Sequence, residues 1–311
     1  MFVEEGDTDR PAFHHSESAT RKMFADCPDA DYLRAPIRLG PGRAYRVWGR
    51  IPPEAVYVGI LLYGKGGRVG NRLRDQDLRV DDEGRFELTI STEQPAGDGV
   101  WLRGDGDENA VIVRQYFTDR TAQEPLDVHL ELAGGPPPPA PLSAAALAEG
   151  IGRAERMVRT VFQRTIGAYK TISGMALNRF FEIPADQLFP TPDNQYRVAW
   201  YRFGQDQVMF VRGKLPRARY FGFTLYNAWL ESYDYTRHRI GLNHTQLRHG
   251  ADGSFEVCLA HRDPGHPNWL DTAGHHAGYL VARTLLGEGE PSALEIEVIY
   301  EKEWAARRAA R

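Results

Sequence analysis

Glu231 and Asp234 stand three residues apart in the stretch NAWLESYDYTRHRIGLNHTQLRHG, which also supplies Asn227, Trp229, Tyr233, Tyr235, Arg237 and His238. Two carboxyl groups close together suit glycoside cleavage, where one donates a proton and the other acts as base or nucleophile. Trp229, Tyr233 and Tyr235 offer flat faces for a sugar or another ring, and Asn227 and Arg237 offer polar contacts. His238 is the third candidate catalytic group. The chemistry expected of such a loop is hydrolysis or elimination on a small polar or glycosylated molecule. The competing reading is plain: acids and aromatics also make ordinary surface loops and sheet edges.

Two further signals lie downstream. Seven of the ten histidines fall between His238 and His276, and His261, His266, His275 and His276 flank the segment Pro267 to Asp271. Neutral imidazoles are good ligands for zinc and related ions, so a metal-dependent enzyme is a second alternative. No HxH or HExxH spacing accompanies them, and adjacent His275 and His276 would point to opposite faces of a strand. The expected site therefore contains neither metal nor cofactor. Arg283 sits in an alternating strand, where an inward guanidinium must meet an anion or a carboxylate to offset desolvation. Asn268 and Trp269 complete the candidate binding set. No GxSxG elbow and no GxxxxGK[ST] loop is present.

The elements that must position these residues come in two copies. Tyr57–Gly64 reads YVGILLYG and Tyr220–Asn227 reads YFGFTLYN. A Gly, a base, an aliphatic residue and a Pro precede each: Gly49 to Pro52, and Gly213 to Pro216. An acid-Gly turn and strand follow each, EGRFELTIS from Glu83 and DGSFEVCLA from Asp252, then Trp101-Leu102 or Trp269-Leu270, then Arg114 or Arg283. Duplication explains one long period better than a solenoid array does. Shared residues then read as scaffold and unshared ones as candidates for function. From the Tyr of the LY pair to the Gly of the acid-Gly turn there are 21 steps in the first copy and 27 in the second. That longer loop, on an otherwise common frame, is where binding groups are expected.

In order and spacing, YFGFTLYN, the Tyr/Arg-rich loop, DGSFEV, PNWLD at Pro267 to Asp271 and the Arg-bearing strand Leu280 to Thr284 resemble the domain-of-unknown-function 1214 family. Upstream, DADYLRAPI at Asp29 and RQYFTD at Arg114 are similar to the N-terminal lobe that accompanies this domain in many bacterial proteins. The resemblance implies a pair of jelly-roll-like sandwiches and no settled activity. Some relatives carry a longer helical segment before the first lobe, where this chain has a short arm.

The chain of 311 residues is expected to be mainly β: two tandem antiparallel jelly-roll-like sandwiches joined by a helix. Residues 1–35 read as an N-terminal arm, 36–135 as the first lobe, 136–180 as a polyproline spacer and linking helix, and 181–311 as the second lobe with its tail. In the linker, Leu147, Ile151, Ala154, Val158, Phe162, Ile166 and Tyr169 recur at helical steps, with Ser143 as N-cap. Gly150, Gly152 and Gly167 weaken that helix by about 1 kcal/mol each, so it is expected to pack against a lobe. Net charge of -4 leaves no footprint for nucleic acid. No stretch approaches the roughly 20 apolar residues of a membrane span, and the acidic N-terminus is no secretory signal. Cys27 and Cys258 occur in unlike contexts, which argues against a disulfide framework. A cytoplasmic protein binding a small molecule, without membrane or nucleic-acid partners and possibly a homo-oligomer, is the expectation. Its rival is a non-catalytic ligand-binding or assembly protein.

Overall fold

The computed structural model describes residues 6–310, apart from 65, 66, 139, 140, 142, 184–191 and 291. Part of the glycine-rich insert after Gly64 and part of the polyproline spacer therefore lie outside the described residues. Contacts divide the chain into two units: Met1–Ser18 with Ala30–Gln163, and Ala19–Asp29 with Arg164–Arg311. The N-terminal arm is thus shared, because residues 19–29 are hydrogen-bonded into the second unit.

The first unit holds β1 (His14–His15), β2 (Ala30–Pro36), β3 (Ala44–Arg50), β4 (Tyr57–Gly64), β5 (Val69–Arg74), β6 (Arg85–Ser91), β7 (Val100–Arg103), β8 (Glu108–Tyr116) and β9 (Asp127–Leu132). The second holds β10 (Phe181–Ile183), β11 (Asn194–Arg202), β12 (Gln207–Lys214), β13 (Tyr220–Tyr226), β14 (Gly241–Asn243), β15 (Ser254–Ala260), β16 (Trp269–Asp271), β17 (Ala277–Leu285) and β18 (Glu295–Tyr300). Their sheets correspond strand for strand. A five-stranded sheet runs β1-β2-β8-β4-β5 in one unit and β10-β11-β17-β13-β14 in the other, and a four-stranded sheet runs β7-β6-β3-β9 and β16-β15-β12-β18. Among the described strands, pairing is antiparallel except for one edge in each unit, β6 with β7 and β15 with β16. The protein is mainly β, two tandem sandwiches joined by a helix, as the sequence predicts.

Residues shared by the copies do the same structural work. Trp101 donates its indole N–H to the carbonyl of Ser91, and Trp269 donates to Ala260, the last residue of the corresponding strand. Arg114 lies across the rings of Tyr32 and Tyr63, and Arg283 across those of Tyr196 and Tyr226. Gly59 and Gly222 leave room for the hydroxyl ends of Tyr57 and Tyr220, which a Cβ would approach to 2.2 and 2.5 Å. Alternation fills the second core: Phe221, Phe223 and Leu225 meet Val257, Leu259, Leu280 and Ala282 between the sheets.

Helix α1 (Ala144–Met175) begins where predicted, with the Ser143 hydroxyl accepting the Ala146 N–H at 3.1 Å. Its packing differs from expectation. Ile172 and Ala176 pack with Val198, Trp200, Tyr279 and Val281 on the outer face of the five-stranded sheet of the second unit. Leu147, Ile151, Val158 and Phe162, the first half of the apolar stripe, are 52, 63, 61 and 53% exposed. Helix α2 (Glu301–Ala309) anchors itself by burying Trp304 against Phe210 and Cys258. Among the described residues no helix is long and apolar enough to cross a membrane. Both cysteines are free and buried.

Candidate functional site

The loop after β13 is built by its own polar residues. The Asn227 side-chain carbonyl accepts the N–H groups of Trp229 (2.8 Å) and Glu231 (3.1 Å), while its amide donates to the Glu231 carboxylate at 2.7 Å. The Asp234 carboxylate accepts both the N–H and the hydroxyl of Thr236, and its main-chain carbonyl accepts the His238 N–H at 3.0 Å. The Thr236 hydroxyl holds the Asp234 carboxyl below its ordinary range, the backbone N–H adding to the effect. Each acid of the expected pair therefore shapes a turn of its own.

Where the sequence suggests a ligand, the chain supplies part of itself. Lys22 donates to the carbonyls of Ser232 (2.8 Å) and Tyr233 (2.5 Å), lies 4.7 Å from the centre of the Tyr235 ring, and feels the charges of Asp26, Asp234 and Glu231. Asp26, 5% exposed, accepts the N–H and hydroxyl of Ser232 at 3.0 and 2.6 Å. Burial pushes its carboxyl above the ordinary value despite those bonds and the charges of Lys22 and Arg283. Arg283, 2% exposed, donates to the Ala25 carbonyl and to the Thr224 hydroxyl, and Tyr226 donates to the Asp26 carbonyl. Arg283 thus lies on the face of β17 that carries Val281, opposite the core residues Leu280 and Ala282, and meets a main-chain carbonyl and a hydroxyl there with the Asp26 charge nearby. Asp29 accepts from Tyr220 (2.8 Å) and Asn243 (3.0 Å). Phe24, Ala25 and Leu230 adopt left-handed backbone where the Ala25 N–H meets the Leu230 carbonyl, at about 1–2 kcal/mol per residue.

The other candidates separate into scaffold and surface. Asn268 is buried; its side chain accepts the Arg248 N–H and donates to the carbonyls of Arg248 and Glu256, joining a loop to β15. Tyr233 is buried, its hydroxyl 2.7 Å from that of Tyr201 and its ring stacked 4.2 Å from His275. Trp229 is 49% exposed, and the Arg237 side chain is 82% exposed beside Asp234. Among the described residues no three His, Cys, Asp or Glu side chains gather as a metal would require. Burial holds both the His261 and the His275 ring below the ordinary histidine value, the nearby His276 adding to each effect.

One pair has the geometry of acid–base chemistry. His238 Nδ1 lies 2.8 Å from the Asp271 carboxylate, which is 16% exposed and whose other oxygen accepts the Ala273 N–H at 2.8 Å. A carboxylate only accepts, so Nδ1 carries a hydrogen, and in the neutral ring Nε2 is the nitrogen left with the lone pair. Among the described residues no hydrogen bond engages Nε2, and the side chain is 38% exposed. The pair is fixed from both sides. Asp234 and Thr236 set the turn before His238, and parallel pairing of β16 with β15 sets Asp271, whose N–H also donates to the Arg239 carbonyl. Its charge reaches the Tyr201 hydroxyl, which burial already holds protonated far above the ordinary range.

Sequence reasoning names His238 but passes over Asp271, Lys22 and Asp26. For Asp271 a signal exists: the first copy has Trp101-Leu102-Arg103 where the second has Trp269-Leu270-Asp271, so this acid is among the unshared residues.

The fold has close counterparts among solved structures. An uncharacterized protein from Burkholderia cenocepacia matches over 97% of this chain and 85% of its own, with a TM-score of 0.90 and 27% identity. A Vibrio parahaemolyticus protein, at 10% identity and a TM-score of 0.52 over 88% of this chain and 90% of its own, shares the fold alone. Comparison with curated proteins gives no match. Residues 204–288, which run from β12 through β17 and include both His238 and Asp271, match the family described as protein of unknown function (DUF1214).

Proposed function

We propose that the second unit is a general acid–base site in which His238 moves the proton and Asp271 orients it, acting on a small polar molecule by hydrolysis or elimination. The observation that carries this reading is the 2.8 Å contact from Nδ1 to a carboxylate whose second oxygen is fixed, with Nε2 turned to a solvent-accessible surface. A carboxylate behind an imidazole selects the tautomer and stabilises the imidazolium formed on proton uptake. Arg237 and Trp229, exposed on the same loop, are the groups that would meet an anionic or ring-bearing part of a substrate, a sugar among them.

Glu231 and Asp234 take a different role from the one their spacing suggests. They hold the loop around Lys22 and set the turn that presents His238, so they position rather than react. Two buried free cysteines suit the cytoplasm, where the substrate is expected.

The test is a screen of chromogenic esters, glycosides and small hydroxy acids, followed by His238→Ala and Asp271→Asn on any activity found. Loss of a positioned acid–base group costs roughly 10²–10⁴ in rate. Turnover that survives His238→Ala unchanged refutes the assignment. Turnover lost with Glu231→Gln but kept with His238→Ala restores the carboxylate reading.

A further inference from the structure

The two copies part company at one place on their four-stranded sheets. In the second unit the Asn268 side chain bonds the main chain of Arg248 and the carbonyl of Glu256, and so closes the strip between β15 and the loop before it. Counting from the shared Trp-Leu pair and acid-Gly turn, Val100 stands at the place of Asn268, Arg79 at that of Arg248 and Glu87 at that of Glu256. The pairings agree with this count. Val80 bridges Phe86 as His249 bridges Phe255, and Thr89 pairs with Trp101 as Cys258 pairs with Trp269. Valine has no amide with which to make the stitch. Here the first unit has a groove of about 610 Å³, open to solvent, with Val100, Arg79, Val80 and Glu87 in its lining.

The wall of this groove is aromatic, apolar and already ion-paired. Trp48 takes the place of Arg212, and its ring is held by Arg46, 4.6 Å from the ring centre, and by His129, stacked at 5.4 Å. Val80, 43% exposed, adds apolar surface. Each guanidinium in the lining has a carboxylate: Arg46 meets Glu87 at 2.6 Å and Glu131 at 3.3 Å, Arg79 meets Asp98 at 3.3 Å, and Arg85 meets Glu83 at 2.6 Å. An anionic ligand would have to displace those acids. Hydrogen-bonding capacity remains on both signs. Asp81 uses one oxygen for the N–H groups of Glu83 and Arg85, and Glu87 uses one for Arg46, so the second oxygen of each makes no hydrogen bond among the described residues. The guanidiniums carry more N–H donors than their pairs use.

We propose that this groove binds a neutral sugar ring, free or within a glycan. An apolar wall beside free acceptors and donors, with its guanidiniums already paired, suits a ring that has C–H faces and hydroxyls able both to donate and to accept. The volume lies within the roughly 300–1,000 Å³ of small-ligand clefts, and the open side admits one ring of a longer chain. The site belongs to the first unit and does not rest on the His238 reading.

Indole N–H signals of the full chain, followed by ¹H–¹⁵N NMR, test this with maltotriose, cellotriose, mannotriose, galactotriose and xylotriose at tens of millimolar. The Trp48 signal, assigned by its loss in Trp48→Phe, should move saturably with at least one of them. Val100→Asn supplies the amide that closes the second unit and should weaken that response at least tenfold with circular dichroism unchanged. Arg79→Ala, at a side chain 69% exposed, should weaken it severalfold and serves if the asparagine disturbs its strand. Silence of the Trp48 signal with all five sugars overturns the proposal, as does a response unchanged in either variant that keeps its fold. A stronger response to galacturonate or glucosamine than to the neutral sugars would assign the groove to a charged ligand and overturn it as well.

Discussion

Gly222→Ala should damage the second unit in a way that no ordinary glycine replacement does. In a strand with unremarkable backbone angles, alanine normally adds about 0.5–1 kcal/mol of stability relative to glycine. Here the new Cβ stands 2.5 Å from the Tyr220 hydroxyl, 2.9 Å from its Cζ and 3.2 Å from the Leu242 carbonyl oxygen. Tyr220 is 1% exposed and its hydroxyl donates to Asp29 at 2.8 Å, so the ring has no free direction in which to yield. Overpacking of this kind costs about 1–3 kcal/mol. Loss of a hydrogen bond to a charged acceptor adds about 1.5–3 kcal/mol. For a unit of this size the sum lowers the melting temperature by on the order of 10 °C. Calorimetry of the full chain is the assay, with Gly59→Ala as the matched experiment in the first unit, where Cβ would lie 2.2 Å from the Tyr57 hydroxyl. Adding Tyr220→Phe to Gly222→Ala removes the nearest atom and should restore part of the loss, leaving the double variant more stable than the two single effects predict. An unchanged or raised melting temperature for Gly222→Ala refutes the view that this glycine exists to admit the tyrosine.

Two other outcomes follow from the hydrogen bonds of the second unit. Asp26 binds its proton more tightly when folded, because burial raises its pKa. Its ionisation therefore works against the fold: the benefit of the protonated form is complete below the ordinary value of 3.8 and disappears as pH rises through the folded value. Asp26→Asn, which can keep both contacts to Ser232, should remove this slope from urea-unfolding free energies measured against pH; a wild type that gains stability relative to the variant as pH rises over that range contradicts it. Asn268→Ala leaves the Arg248 N–H and two main-chain carbonyls without their side-chain partner. It should cost roughly 2–4 kcal/mol in chemical denaturation, and a loss below 1 kcal/mol would show that water replaces the amide.

The duplicated frame is legible in the sequence because it rests on local signals. Tyr-x-Gly before the LY pair, the acid-Gly turn and the Trp-Leu pair each mark a strand, and matching strands occupy matching places in both units. The start of α1 at Ser143 is legible for the same reason. The second-unit loop is also legible in the sequence as the region that differs between the copies, but the bonds its side chains make are not. What Glu231 and Asp234 do depends on Asn227 and Thr236, near neighbours whose turn bonds compete for the carboxylates. The partner of the His238 ring, Asp271, lies 33 residues away and is set by the register of a parallel edge strand. The contribution of residues 19–29 is the least legible, because Lys22 and Asp26 meet Ser232 across more than 200 residues of chain and have no counterpart in the repeat.

The proposed site stands or falls on the His238 ring. A two-bond ¹H–¹⁵N correlation spectrum of the neutral side chain should show hydrogen on Nδ1 and a lone pair on Nε2. In Asp271→Asn the carbonyl oxygen stays with the Ala273 N–H and the new amide faces Nδ1, so the hydrogen should move to Nε2. A wild-type ring already protonated at Nε2, or a tautomer indifferent to Asp271→Asn, would contradict the assignment of Asp271 as the group that readies His238 to take a proton.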